Sequence, residues 1–213
     1  SAVANKMGNL FRYGVGTYSH TYKFDTMDVY NNGELMPMSQ WPNVGFIDVE
    51  RLNDTDKSVN VVFSEDISNR FKNWTFAPDI VMGYYTKAGY EHYYSSVSGF
   101  DTKERAIKLD PKTVTRNPSL TRMGPSANAR AVILNLLEEI DMPGEWVLDR
   151  ENKLIYIYPE GGKVNGKMSV SLTTDPVVTF DGAEYIKFEG LTVGYARGHA
   201  IQIQNKSKNI TID

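Results

Sequence analysis

Residues 177–188 read VVTFDGAEYIKF and residues 201–212 read IQIQNKSKNITI, so the second stretch repeats the pattern of the first at an offset of 24 residues. In each copy a short alternating strand leads through a polar turn into a second alternating strand. A fixed period of this size is typical of stacked coils that bury their apolar faces only against a neighbour. The chain stops at Asp213, where the second copy ends, and an open stack would leave unpaired strand edges there. We therefore expect these residues to be the front part of a longer protein.

The composition limits the kinds of partner that the chain can bind. Hydrophobic residues make up 41% and charged residues 23%, which is ordinary for a globular protein. The net charge of -3 argues against a nucleic-acid partner, because phosphate binding needs a basic surplus. No apolar run is long enough to span a bilayer, and the absence of cysteine excludes disulfides and cysteine-based zinc sites. We predict no nucleic acid, no membrane insertion and no cofactor, and the oligomeric state is left open.

Short β-prone runs bounded by turn residues cover much of the chain. The predicted strands are Leu35–Met38, Phe46–Val49, Val59–Phe63, Ala106–Leu109, Val147–Leu148 and Leu154–Tyr158. The polar stretch 149–153 (DRENK) predicts a hairpin turn between the last two, and Asn32-Gly33 and Lys87-Ala88-Gly89 predict others. The apolar spacing in 129–140 (ARAVILNLLEEI) predicts a short helix that ends at Pro143-Gly144, and a second helix is predicted over 66–72.

We divide the chain into three parts on these patterns. Residues 1–44 are predicted to form strands that lead into the fold. Residues 45–127 are predicted to form a β-rich inserted module that carries a tyrosine cluster, and residues 128–213 the helix, the hairpin and the first coils. No low-complexity linker separates the parts, so we expect them to pack on one another.

Several motifs resemble segments of right-handed parallel β-helix proteins of the pectin-lyase-like superfamily. They are 38–46 (MSQWPNVGF), 135–150 (NLLEEIDMPGEWVLDR), 154–159 (LIYIYP), 188–193 (FEGLTV) and 197–201 (RGHAI). Gln40 is a departure, since these proteins usually carry arginine before the Trp-Pro-Asn sequence. The resemblance implies an all-β fold: the start of a right-handed parallel β-helix with an inserted antiparallel β-rich module and one or two short helices. Trp41 and Trp146 are predicted to anchor turns to a core.

The resemblance also implies a function in carbohydrate processing. We expect the N-terminal fragment of an exported bacterial protein, a glycoside hydrolase acting on complex glycans, with a polysaccharide or oligosaccharide as partner. A non-catalytic glycan-binding or cell-surface structural protein and a polysaccharide lyase remain alternatives. The expected location is extracellular, cell-surface or periplasmic, with the signal peptide outside this chain. Whether this fragment is itself an enzyme is left open, because no residue matches the family's catalytic carboxylates.

Two groups of residues are candidates for saccharide contact. Aromatic faces pack against the C–H faces of sugars and tyrosine hydroxyls bond sugar hydroxyls, although alternation sends about half of a strand's side chains into a core. An arginine beside a histidine in a loop can bind a carboxylate or a sugar hydroxyl. The predicted substrate-binding residues are Tyr84, Tyr85, Tyr90, His92, Tyr93, Arg197 and His199.

The sequence alone assigns no catalytic residues. Glycoside hydrolysis needs two carboxyl groups that flank one bond. The carboxyl groups in the visible coils belong to Asp175, Asp181, Glu184, Glu189 and Asp213. The three histidines are widely separated and show no paired spacing, so we predict no metal site.

Overall fold

A computed structural model describes residues 27–55, 58–74, 79–85, 92–114 and 129–213. These ranges are all-β apart from short helical turns. The strands are β1 (Val29–Asn31), β2 (Glu34–Leu35), β3 (Gln40–Trp41), β4 (Ile47–Thr55), β5 (Ser58–Phe63), β6 (Val81–Tyr85), β7 (His92–Asp101), β8 (Ala106–Leu109), β9 (Arg130–Leu134), β10 (Trp146–Asp149), β11 (Leu154–Ile157), β12 (Met168–Val170), β13 (Val178–Asp181), β14 (Glu184–Phe188), β15 (Ile201–Gln204) and β16 (Lys208–Ile212). The helical turns are α1 (Ser68–Phe71) and the 3₁₀ turns Leu137–Glu139 and Glu160–Gly162. No helix in the described ranges is both long enough and apolar enough to cross a membrane.

Six antiparallel strands close into a barrel. Their order is β9-β4-β5-β8-β7-β6, and β6 pairs back onto β9. On one side β9 pairs with β6 along Ala131–Leu134. On the other side it pairs with β4 at residues 130–131 and with β3 at residues 133–134. Closure gives every strand of the ring a neighbour on both sides, which removes the free edges of an open sheet.

Alternation along the strands builds the core inside this barrel. In β5 the side chains of Val59, Val61 and Phe63 are buried in one cluster, and β8 adds Ile107 and Leu109. Period-2 patterning places every second residue of a strand on the same face, so these apolar residues fill the interior. The predictions for Val59–Phe63 and Ala106–Leu109 are confirmed as β5 and β8.

The prediction of a right-handed parallel β-helix as the fold class is wrong. The largest sheet of the described chain is antiparallel and closes on itself, and it is the main body of the fold. The repeat does pair in parallel, β13 with β15 and β14 with β16, but only as two two-stranded sheets. Glu184 lies opposite Lys208, as the 24-residue offset requires, whereas Val178 lies opposite Ile201, an offset of 23. A local repeat reports pairing between its own copies and carries no information about the non-local antiparallel pairs of the barrel.

The predicted helix over 129–140 is also wrong. Residues Arg130–Leu134 form barrel strand β9, and the chain then turns at Asn135, whose φ is +63°. Ala131 and Ile133 face the barrel core, while Val132 and Leu134 are buried on the opposite face. A strand that is covered on both faces has a continuous apolar run, and periodicity alone does not distinguish such a run from a buried helix.

Elements formed by residues that are close together in the chain agree with the sequence predictions. Strands β10 and β11 form the predicted antiparallel hairpin, with Trp146 opposite Ile157. At Asn32-Gly33 both φ angles are positive (+50° and +86°), as a tight turn between β1 and β2 requires. The short α1 lies within the second predicted helix. The predicted turn at Lys87-Ala88-Gly89 lies outside the described residues.

The described chain divides into two compact units. The first contains Met36–Asn165, with the barrel and the β10–β11 hairpin. The second contains the β1–β2 hairpin up to Leu35 together with Gly166–Asp213. In the second unit β12 pairs with β1, and the rings of Phe180 and Phe188 lie 6.0 Å apart.

Candidate functional site

The tyrosine-rich strands β6 and β7 sort their aromatic side chains onto two faces. Tyr84 lies opposite Tyr93 and both side chains belong to the barrel core. Tyr85 lies opposite His92, one step along each strand, and these two side chains therefore face away from the core. Strand alternation predicts that about half of the clustered tyrosines are buried in a core. The burial of Tyr84 and Tyr93 confirms this prediction. Tyr90 lies outside the described residues.

Tyr84 is a core residue and offers no ring face to a ligand. Its side chain is fully buried and its hydroxyl lies 3.4 Å from Ser95 Oγ. Burial raises the pKa of the Tyr84 hydroxyl far above its ordinary value. The ring of Tyr93 packs against it, with 6.2 Å between centroids.

We define the outer aromatic cluster as Phe46, Tyr85, His92, Tyr94 and Arg130. The His92 ring lies between two tyrosines, 4.5 Å from the Tyr85 centroid and 4.6 Å from that of Tyr94. Phe46 meets Tyr85 edge to face at 5.4 Å and is 39% exposed. Tyr94 is nearly completely buried, so it forms the floor of the cluster.

His92 is a neutral imidazole in this cluster. Its Nδ1 and Nε2 atoms are both buried and have no hydrogen-bond partner in the described part of the chain. Burial lowers the pKa of His92 from 6.5 to about 4, since the charged form would lose its hydration. A buried polar group without a partner costs stability, and such perturbed groups are enriched at functional sites.

Arg130 adds a cation to the rim of the cluster. Its guanidinium carbon lies 5.2 Å from the centroid of the Phe46 ring and 5.5 Å from that of Tyr85. Both distances lie within cation–π range. The sequence reasoning missed Arg130 and Phe46 because neither lies near the tyrosines in the chain, and the barrel pairing of β4, β9 and β6 brings them together.

Arg197 and His199 belong to the second compact unit. Arg197 is half-buried and His199 is exposed, in the loop before β15. The backbone carbonyl of His199 accepts a hydrogen bond from Val177 N at 3.3 Å. Their predicted role in saccharide contact stays a prediction.

Three of the five carboxylates proposed from the sequence are held by neighbouring side chains. Asp181 accepts hydrogen bonds from Gln204 and Asn205 at 3.0 and 2.6 Å. Glu184 pairs with Lys208 at 3.0 Å, and Glu189 pairs with Lys187 at 2.6 Å. No group of three or more acidic or histidine side chains suited to a metal ion occurs within the described ranges.

A second polar network joins α1 to the 3₁₀ turn Leu137–Glu139. Glu139 is nearly buried and accepts a hydrogen bond from Trp74 Nε1 at 2.6 Å. Arg70 Nη1 donates to both Glu139 oxygens at 2.8 and 3.1 Å, and its guanidinium stacks 4.7 Å from the Trp41 ring. The buried polar atoms of this network are paired, which indicates a structural role.

The predicted anchoring by Trp41 and Trp146 is confirmed by their burial, at 8% and 2% exposure.

Comparison with known proteins yields a likeness in fold. No family model matches the chain, and no curated protein matches it. A solved structure described as a glycoside hydrolase superposes with a TM-score of 0.56 at 16% sequence identity. The match covers 76% of this chain and 30% of that one, so the chain spans less than a third of the length of that structure. At this identity the likeness shows the fold alone, and it does not specify a parallel β-helix.

Proposed function

We propose that this chain is part of a carbohydrate-active protein and contributes a saccharide-contact surface to it. The observation that carries the proposal is the fold likeness to a glycoside hydrolase over 76% of the chain. One fold hosts many activities, so the choice of site has to rest on the residues themselves.

The outer aromatic cluster is the surface that we propose for saccharide contact. Phe46 is partly exposed, Tyr85 is half-buried, and their rings are fixed by mutual packing. Rigid aromatic rings lose little conformational entropy on binding and pack well against the apolar faces of sugar rings. The half-buried His92 ring packs against Tyr85 and Tyr94 and so helps to hold the Tyr85 ring in place.

For the whole protein we propose glycoside hydrolysis, with complex glycans as substrates and an extracellular or cell-surface location. A non-catalytic glycan-binding protein is the second candidate. The contacts of Asp181, Glu184 and Glu189 favour it for this part of the chain, because each carboxylate is already bonded to a neighbouring side chain. A catalytic pair needs two carboxyl groups that are free to face one glycosidic bond.

A glycan array tests the proposal directly. The purified chain is applied beside Tyr85→Ala and beside Tyr158→Ala, which removes an exposed tyrosine outside the cluster. We expect the chain to bind saccharide, Tyr85→Ala to lose binding and Tyr158→Ala to keep it. Thermal unfolding of each variant separates lost contact from lost fold. Binding that Tyr85→Ala retains in full would contradict the proposed site.

A further inference from the structure

Arg130 carries a charge that no acidic side chain neutralises within the described ranges. The ion pairs of the described residues do not include it, and its side chain is exposed. Its guanidinium instead rests on the rings of Phe46 and Tyr85. The cation is therefore held in place by aromatic contacts while its N–H donors remain available.

Asp48 is the acidic group nearest to Arg130 in the sheet register. It is the direct cross-strand partner of Arg130 in the β4–β9 pair, and it too is exposed. Side chains opposite each other in an antiparallel pair have Cβ atoms about 5 Å apart, so an ion pair is within reach. The structure places the guanidinium against the rings and forms no such pair.

We propose that the outer aromatic cluster prefers saccharides that carry a carboxylate or a sulfate group, with Arg130 as the anion contact. The inference rests on the proposed function, since it names the substrate class of the same site. The planar guanidinium offers parallel N–H donors that match the two oxygens of a carboxylate or sulfate. Because the rings of Phe46 and Tyr85 already hold it, little side-chain entropy is lost when the anion binds.

The remainder of the cluster is compatible with an anion. His92 is neutral at physiological pH and adds no charge of either sign. A neutral saccharide would gain the aromatic contact but not the charge-assisted hydrogen bonds, so its affinity should be lower.

The test uses an array of neutral oligosaccharides of glucose, galactose and N-acetylglucosamine, each printed beside its uronate counterpart and its sulfated counterpart. The full chain is compared with Arg130→Gln and with Arg51→Gln, a matched change at an exposed arginine that already pairs with Glu50. We expect the acidic members to bind at least tenfold more tightly than the neutral ones. Arg130→Gln should abolish this preference, Arg51→Gln should keep it, and Asp48→Asn should strengthen it. Comparison of the uronate and sulfated members then identifies the anion.

Two contrary results lead to different conclusions. Equal binding of neutral and acidic members, or an Arg130→Gln variant that weakens both equally, would overturn the preference and leave the proposed function standing. Absence of binding to every saccharide on the array would overturn the proposed function, and this inference with it.

Discussion

The ring of Tyr94 lies directly over Gly83, its cross-strand partner in the β6–β7 pair. A Cβ atom built at Gly83 would meet Tyr94 Cε1 at 3.0 Å and Cδ1 at 3.2 Å. The absent side chain at residue 83 is therefore what allows the floor of the outer aromatic cluster to lie flat on the sheet.

Gly83→Ala should destabilise the barrel by about 1–3 kcal/mol, because the added methyl group forces the buried Tyr94 ring to shift. Gly99→Ala is the control, since nothing lies within 4 Å of a Cβ at that position on β7. Urea denaturation measures the free energy of unfolding of both variants. Equal stability of the two variants would show that the ring yields without cost.

Asn135 fixes the end of β9 and the start of the hairpin together. Its φ is +63°, its Oδ1 accepts from Leu148 N at 2.7 Å, and its Nδ2 donates to Leu148 O at 2.8 Å. Asn135→Ala should cost about 3 kcal/mol of unfolding free energy, because two buried backbone groups lose their partners and alanine disfavours this backbone conformation. Asn135→Gly removes the same hydrogen bonds without the backbone strain and should cost less. The account fails if the alanine variant is as stable as the wild type in chemical denaturation.

Glu139 joins α1 to the 3₁₀ turn through Arg70 and Trp74. Glu139→Gln keeps the size of the side chain but removes its charge, so we expect a loss of about 1–2 kcal/mol, typical of hydrogen bonds to charged groups. Glu50→Gln breaks an exposed pair with Arg51 and should change stability by less than about 0.5 kcal/mol. The free energies of unfolding of the two variants, measured by thermal and urea denaturation, should therefore differ clearly. Similar small effects would mean that the Glu139 network contributes little to stability.

His92 should make stability depend on pH between about 4 and 6.5. The pKa of His92 is about 4 in the folded state against 6.5 unfolded, so the unfolded chain binds more protons in this window. The stabilisation is complete above pH 6.5 and is lost as the pH falls towards 4, by at most about 3 kcal/mol. Burial raises the pKa of Glu145, which acts with the opposite sign just above pH 4.5.

Comparison of His92→Phe with the wild type isolates the histidine, since both proteins keep Glu145. The variant should lose the part of the slope that belongs to residue 92 when unfolding free energies are measured from pH 4.5 to 7. An unchanged slope in His92→Phe would show that His92 is not protected from protonation.

Sequence patterns predicted what is encoded locally. The hairpin of Trp146–Asp149 with Leu154–Ile157 follows from two β-prone runs and a polar turn that are adjacent in the chain. The parallel pairing of β14 with β16 follows in the same way from a repeat. The sequence predicts a helix in place of strand β9 because both faces of this strand are apolar. The left-handed backbone at Asn135, which ends the strand, has no strong sequence signal.

Strand pairing and contacts between residues far apart in the chain could not be predicted from the sequence. Barrel closure depends on the pairing of β6 with β9, and nothing in either strand specifies that partner. The sequence identifies one part of the candidate site, Tyr85 and His92, because both residues lie in the same tyrosine-rich segment. Phe46 and Arg130 join them only through the sheet register. A single sequence does not report such distant contacts.

The central claim is that Tyr85 contacts saccharide on the outer face of the barrel. It is tested most directly by the dissociation constants of the wild type, Tyr85→Ala and Tyr158→Ala for the saccharide that binds most tightly on the array. We predict that Tyr85→Ala weakens binding about tenfold or more, the equivalent of about 1.4 kcal/mol, and that Tyr158→Ala leaves it unchanged. A folded Tyr85→Ala variant that binds as tightly as the wild type would contradict the account.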